Sequence, residues 1–275
     1  MAIIAISRQV AALGDEIADA AAKELSYEFV DRKQIEARIV ELGFPREKLP
    51  KYDERKPNFF ASLLKDRDEY LNYLQYAVLE AASRGNCILI GRGAFIILSG
   101  ISNLISLRFV ASDNVRLERL EKEFNWNKKQ AQQRISESDS NRLGFHKSFF
   151  NLENEDPQNF SVTLNTGILS IDECVKIIKN LVQTQITPQK EIDGQKKLLN
   201  LLKAQSLVND LIFESHIKIN FLRASISDDE KNLVLYGVAD SEAIAQSAVQ
   251  IASRKFPELC IRSEISIVQD FRNYK

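Results

Sequence analysis

Three short polar clusters stand where apolar runs end: Ser7-Arg8 after AIIAI, Asp31-Arg32 after YEFV, and Gly91-Arg92-Gly93 after CILI. Arginine suits the grip of a phosphoryl group. Its planar guanidinium donates parallel hydrogen bonds to neighbouring oxygens and keeps its charge. Where the three clusters converge, they could form a local basic pocket for phosphates. Further along, Arg134, Asp139 and Arg142 lie in a strongly polar stretch. The segment SRQVAALGDE, Ser7 to Glu16, can aim backbone N–H groups and a helix N-terminus at an anion. It departs from the pattern G-x-x-x-x-G-K-[ST]. Gly14 is its one glycine, and neither a lysine nor a following Ser or Thr is present. Taken alone, the segment reads as an ordinary strand-to-helix turn.

Each candidate has a plainer reading. Asp31 precedes a helix and suits an N-cap. Arg32 suits an exposed first turn, and Arg134 and Arg142 a solvated face. Arg116 and Arg119 read as surface or lid-supporting charges. His146, among Phe145, Phe149 and Phe150, reads as packing. Arg92 is the hardest to dismiss, because flanking glycines permit close backbone approach. Its side chain is expected to contribute charge-assisted bonds to a ligand and little core packing.

The elements that would position these residues alternate. Ala2–Ser7, Tyr27–Val30, Cys87–Ile90, Leu104–Val110 and Val162–Leu164 read as short buried strands. Helical patterns cover Asp15–Leu25, Arg32–Leu42, Asp66–Arg84, Ser112–Phe124, Lys128–Ser138, Arg142–Phe150 and Ile171–Val182. Pro45, Pro50 and Pro57 break the rhythm between residues 43 and 65. Strand–helix alternation implies an α/β fold, a parallel sheet with helices on both faces. Ligands bind such sheets beyond the carboxyl ends of the strands, where the three polar clusters fall. Residues 184–193 (TQITPQKEID) read as a polar linker. After it, the order α-β-β-α-β marks a small α+β domain. The expected domains are residues 1–185 and 194–275.

Composition narrows the function. The 275 residues carry a formal net charge of −1, so no global basic field draws the chain to nucleic acid. No apolar run reaches the ~20 residues needed to span a bilayer, and the apolar start is too short for a signal peptide. Cys87, Cys174 and Cys260 are far apart, with no zinc spacing and no disulfide framework. A reducing, cytoplasmic setting is expected.

Residues 1 to about 183 resemble the cytidylate-kinase-like family, a branch of the P-loop nucleoside monophosphate kinases. The resemblance is carried by AIIAISRQ with GDEIADAAAKEL, by SYEFVDRKQI, by NCILIGRGAFIIL, and by LRFVASDNVRLERL with RISESDSNR and VTLNTGILSIDECVKII, in that order. It implies transfer of the ATP γ-phosphoryl, with Mg²⁺, to a nucleoside monophosphate such as CMP or dCMP. Ser7, Arg8, Gly14 and Asp15 would then face the donor. Asp31, Arg32, Gly91, Arg92 and Gly93 would face the acceptor. Arg134, Asp139 and Arg142 would form the lid, with Asp139 on the substrate side. Catalysis would fall to Arg8, Arg92, Arg134 and Arg142. The family loop carries glycines where this chain has Ala11 and Leu13. Their side chains are expected to restrict positive φ and crowd the phosphate approach. Asp15 either helps hold Mg²⁺ or repels the nucleotide. With its altered loop, the chain reads alternatively as a nucleotide sensor or scaffold. The segment IKINFLRASISDDEKNLVLYGVADSEAIAQSAVQIASRKFPELCIRSEISIV resembles a BON domain. That resemblance implies ligand binding or self-association.

Overall fold

The computed structural model describes residues 1–52, 64–153 and 155–268. The chain divides into two compact units, residues 1–195 and 196–275. In the first unit, strand β1 (Ile3–Arg8) is buried along its whole length. It lies between β3 (Cys87–Ile90) and β4 (Leu104–Val110), with β2 (Glu28–Val30) beyond β3 and β5 (Val162–Asn165) beyond β4. All four pairings are parallel, in the order β2-β3-β1-β4-β5. The chain leaves β1 toward one neighbour and later fills the other side. The crevice at the carboxyl end of β1 is therefore a topological switch point.

Helices α1 (Gly14–Leu25), α2 (Arg32–Glu41), α3 (Leu64–Ser83), α4 (Ala94–Ile97), α5 (Asp113–Phe124), α6 (Lys128–Phe150) and α7 (Ile171–Gln185) complete the unit. Helix α1 presents Ile17, Ala18, Ala21 and Ala22 to the sheet. They join Ile4, Ile6, Ile88, Ile90, Leu107, Phe109 and Ile178 in one core. Small alanines let α1 approach closely, and α7 packs beside it.

Three elements differ from the sequence expectation, the short helix α4 being one that it did not include. Residues 128–150 form one helix rather than two. Its buried stripe runs Ala131, Ile135, Ser138, Arg142, Phe145, Phe149, and the polar Ser138 and Arg142 hide its continuity. The expected linker at 184–193 is mostly helical, since α7 runs to Gln185 and α8 (Pro188–Asn209) starts at a proline. Proline is well suited to the first helical turn, where its missing N–H costs nothing. Between α2 and α3 the described part includes a 3₁₀ segment, Arg46–Tyr52, that contains Pro50. Pro57 lies outside the described residues.

The second unit follows the expected order: the part of α8 from residue 196 on, β6 (Ile219–Ile226), β7 (Asn232–Ala239), α9 (Glu242–Lys255) and β8 (Cys260–Ile267). Strand β7 is central, antiparallel to β6 and parallel to β8. Leu207, Leu211, Leu222, Leu233, Leu235, Ala248 and Ala252 form a separate core. Among the described residues no helix is long and apolar enough to cross a membrane.

Candidate phosphate site at the carboxyl edge of the parallel sheet

The turn after β1 takes the shape that its sequence was expected to resist. Ala11 has φ 58° and Leu13 φ 53°, both left-handed. For an L-residue this costs about 1–2 kcal/mol each. Their side chains turn to packing. Leu13 lies against the main core, and Ala11 against a small cluster of Leu117, Leu120, Ala131 and Ile135. Helix α1 begins directly after Leu13 with no side-chain cap, so its first-turn amides present the positive end of the helix. Gly14 has its own reason to be glycine. A Cβ there would lie 2.7 Å from Cβ and Cγ of Arg8.

Arg8 is buried and lies over Gly14. Its Nε and Nη2 donate to the Asp15 carboxylate at 3.3 and 3.2 Å. Asp15 is therefore joined to Arg8. Ser7, Arg8, Gly91, Gly93, Arg142 and His146 surround a small hollow of about 10 Å³, room for roughly one water molecule. Arg142 reaches it from α6, where its Nη1 donates to Ser138 Oγ at 2.8 Å. His146, one turn on, has Nδ1 2.8 Å from the Arg142 carbonyl. A carbonyl only accepts, so Nδ1 carries the hydrogen.

Arg92 departs from its expected role. It is 1% exposed, among the largest fully buried side chains, and adopts φ 55°. Its Nη1 donates to the Tyr52 carbonyl at 2.6 Å, its Nη2 pairs with Glu36, and its guanidinium lies 5.9 Å from the Phe145 ring centroid. The expectation of little core packing does not hold. Gly93 leaves room for Phe150, which a Cβ would meet at 2.4 Å. The other acceptor candidates also have structural work. Asp31 caps α2, accepting from the Gln34 N–H at 2.9 Å, while Gln34 returns a bond to the Asp31 N–H. Arg32 Nε lies 3.6 Å from Glu36. Arg134 is half-buried on α6.

Asp139 is taken by Arg116, whose Nη2 donates to both carboxylate oxygens at 2.8 Å. Arg116 is 1% exposed rather than a surface charge, and Arg119 also bonds inward. Arg108 is a further buried arginine that the sequence reading passed over. Its Nη1 donates to Ser7 Oγ at 3.4 Å. Burial lowers its pKa, while Glu155, 3.7 Å away, works in the opposite direction. The signal was present, for an arginine interrupts the apolar run LISLRFV of an inner strand. Cys87 is no candidate nucleophile, because burial pushes its thiol up to about 12. Among the described residues no group of three or more His, Cys, Asp or Glu is placed to hold a metal ion.

This edge can hold an anion, with arginine forks beside an uncapped helix start. No curated protein matches the sequence. A crystal structure of an uncharacterized protein from Eubacterium ventriosum is 15% identical with a TM-score of 0.52, covering 67% of this chain and 99% of that one. A shikimate kinase from Bacteroides thetaiotaomicron is 15% identical with a TM-score of 0.42, covering 66% and 98%. A gluconokinase from Sinorhizobium meliloti has the same identity and TM-score, covering 66% and 94%. Residues 3–168 match the cytidylate kinase-like family. That match takes in the whole parallel sheet, the turn after β1 and more than half of the sequence, and so the chain belongs to the cytidylate kinase-like family.

Proposed function

We propose that the first unit is a nucleoside monophosphate kinase, which transfers the γ-phosphoryl of ATP to CMP or dCMP. The observation that carries this reading is the meeting of Arg8 and Arg142 with Ser7 and the Gly91–Gly93 turn around one small hollow. In the reaction, an oxygen of the acceptor phosphate bonds to the γ-phosphorus, the bond to the β,γ-bridging oxygen breaks, and ADP leaves. The acceptor phosphate is already ionised and needs no strong base. What the protein supplies is position and positive charge. Arg8 lies on the donor side with the loop through Gly14, and Arg142 reaches in from α6. Arg32 and Arg134 are the further cations proposed for acceptor and lid. Arg92 acts on the acceptor side from beneath, by fixing the turn between Gly91 and Gly93.

The uncapped start of α1 fits a polyphosphate. Asp15 and Glu16, exposed at the same end, are the carboxylates that would meet an Mg²⁺ carried on it. The ion would neutralise phosphate charge. In the second unit, a BON-like module would bind a ligand or a second copy of the chain.

A second reading rests on the Arg8–Asp15 pair and the missing lysine. If Arg8 stays with Asp15, the site binds a nucleotide without turning it over, as a sensor. An assay coupled to ADP release, run at high enzyme concentration with CMP, dCMP, UMP and AMP in turn, decides between the two. Turnover with CMP or dCMP is expected. No turnover with any of the four would remove the kinase reading and leave the sensor.

A further inference from the structure

The loop of residues 10–13 has an outside support that its own sequence does not provide. Arg116 donates from Nε to the Val10 carbonyl at 3.0 Å. Arg119, about one turn further along α5, donates from Nη1 to the Ala11 carbonyl at 2.9 Å. Both guanidiniums are themselves anchored. Arg116 also pairs with Asp113 at 3.1 Å and with both oxygens of Asp139. Arg119 also donates to the Thr166 hydroxyl at 3.1 Å and to its carbonyl at 2.6 Å. Thr166 is buried at the end of β5, and its own N–H is fixed to the Val110 carbonyl at 2.8 Å.

A trans peptide points its C=O and its N–H in opposite directions. Holding two successive carbonyls toward α5 therefore turns the following N–H groups the other way. The Ala12 N–H closes the turn on the Gln9 carbonyl at 3.4 Å, and the Ala11 N–H faces away from α5. We propose that Arg116 and Arg119 are positioning residues. They hold the loop in its anion-receiving shape where glycines would take that shape without strain. The inference rests on the reading that this loop receives phosphate. Ala11 at φ 58° is the strained residue next to both bonds, and charge-assisted bonds to its flanking carbonyls are what offset the strain.

The test uses the full chain, with Arg119→Lys, Ala11→Gly and the two combined, and reads melting temperature and calorimetric binding of tripolyphosphate. Arg119→Lys keeps the positive charge but cannot span Ala11 and Thr166 with a rigid fork. It should weaken tripolyphosphate about tenfold, on the order of one charge-assisted hydrogen bond, and lower the melting temperature. Adding Ala11→Gly should restore most of both, because glycine adopts a positive φ unaided. Wild-type behaviour of Arg119→Lys overturns the proposal. So does a weakened variant that Ala11→Gly fails to rescue. If the wild-type chain itself does not bind tripolyphosphate, the phosphate reading falls and takes the functional role of the brace with it. The melting temperatures then still decide whether Arg119 holds Ala11 in place.

Discussion

Arg92 joins three parts of the first unit through one side chain. It bonds the carbonyl of Tyr52 on the 3₁₀ segment, pairs with Glu36 on α2, and lies over Phe145 of α6. Truncation removes charge-assisted bonds to the Tyr52 carbonyl and to Glu36, while Glu36 keeps Arg32 at 3.6 Å. Loss of hydrogen bonds to a charged group typically costs about 1.5–3 kcal/mol. Arg92→Ala is therefore expected to lose stability on that order in urea denaturation, before any effect on ligand binding is considered. A variant as stable as the wild type would return Arg92 to the role of a ligand-facing residue. The sequence located Arg92 well, at a strand end between two glycines. It could not reveal the burial, because Tyr52 and Phe145 lie far away in the chain and no local periodicity links them. Ala11 and Leu13 carry a related lesson. Residue type argued against left-handed backbone, and contacts with α5 and the core overrode that preference.

Helix α6 acts as an element through the face it gives to α5 and the hollow. Arg142 and His146 line the hollow, and Asp139 holds Arg116. The polar composition of residues 134–142 reads as a solvated stretch only while the helix is cut in two. As one helix, Ser138 and Arg142 of that stretch fall on a buried stripe with Ala131, Ile135 and Phe145. Asp139 thus works through Arg116 and supports the 10–13 loop indirectly. Asp139→Ala removes the bidentate partner of a guanidinium that is 1% exposed. The expected cost is about 1.5–3 kcal/mol, the range for hydrogen bonds to charged groups. It should be accompanied by faster hydrogen exchange at the amides of residues 10–16. A stability loss with unchanged exchange in that loop would show that Asp139 serves α6 alone. The strands and most helices were legible because each is a short apolar run or an amphipathic repeat. The segment at 184–193 was not, since its polar surface masks a helix that begins at Pro188.

At the scale of the whole molecule, two units with separate buried cores share one chain, and the family match ends at residue 168, inside the first. A ligand at the carboxyl edge of the parallel sheet stabilises whatever folds together with that sheet. At a free concentration of 100 times its Kd, binding to the native state adds roughly 2.7 kcal/mol. Peptide-resolved hydrogen exchange with and without CMP should then show added protection at β1, the 10–16 turn and α6. Strands β6 to β8 should exchange at an unchanged rate, because their core of Leu222, Leu233 and Leu235 contains no part of the site. Protection that appears in β6 to β8 as well would make the second unit a participant in nucleotide binding. Protection with ATP and Mg²⁺ but none with CMP would separate a working donor site from an acceptor site closed by the burial of Arg92. No added protection with any nucleotide would leave the arginines of the first unit as internal structure and the chain as a scaffold.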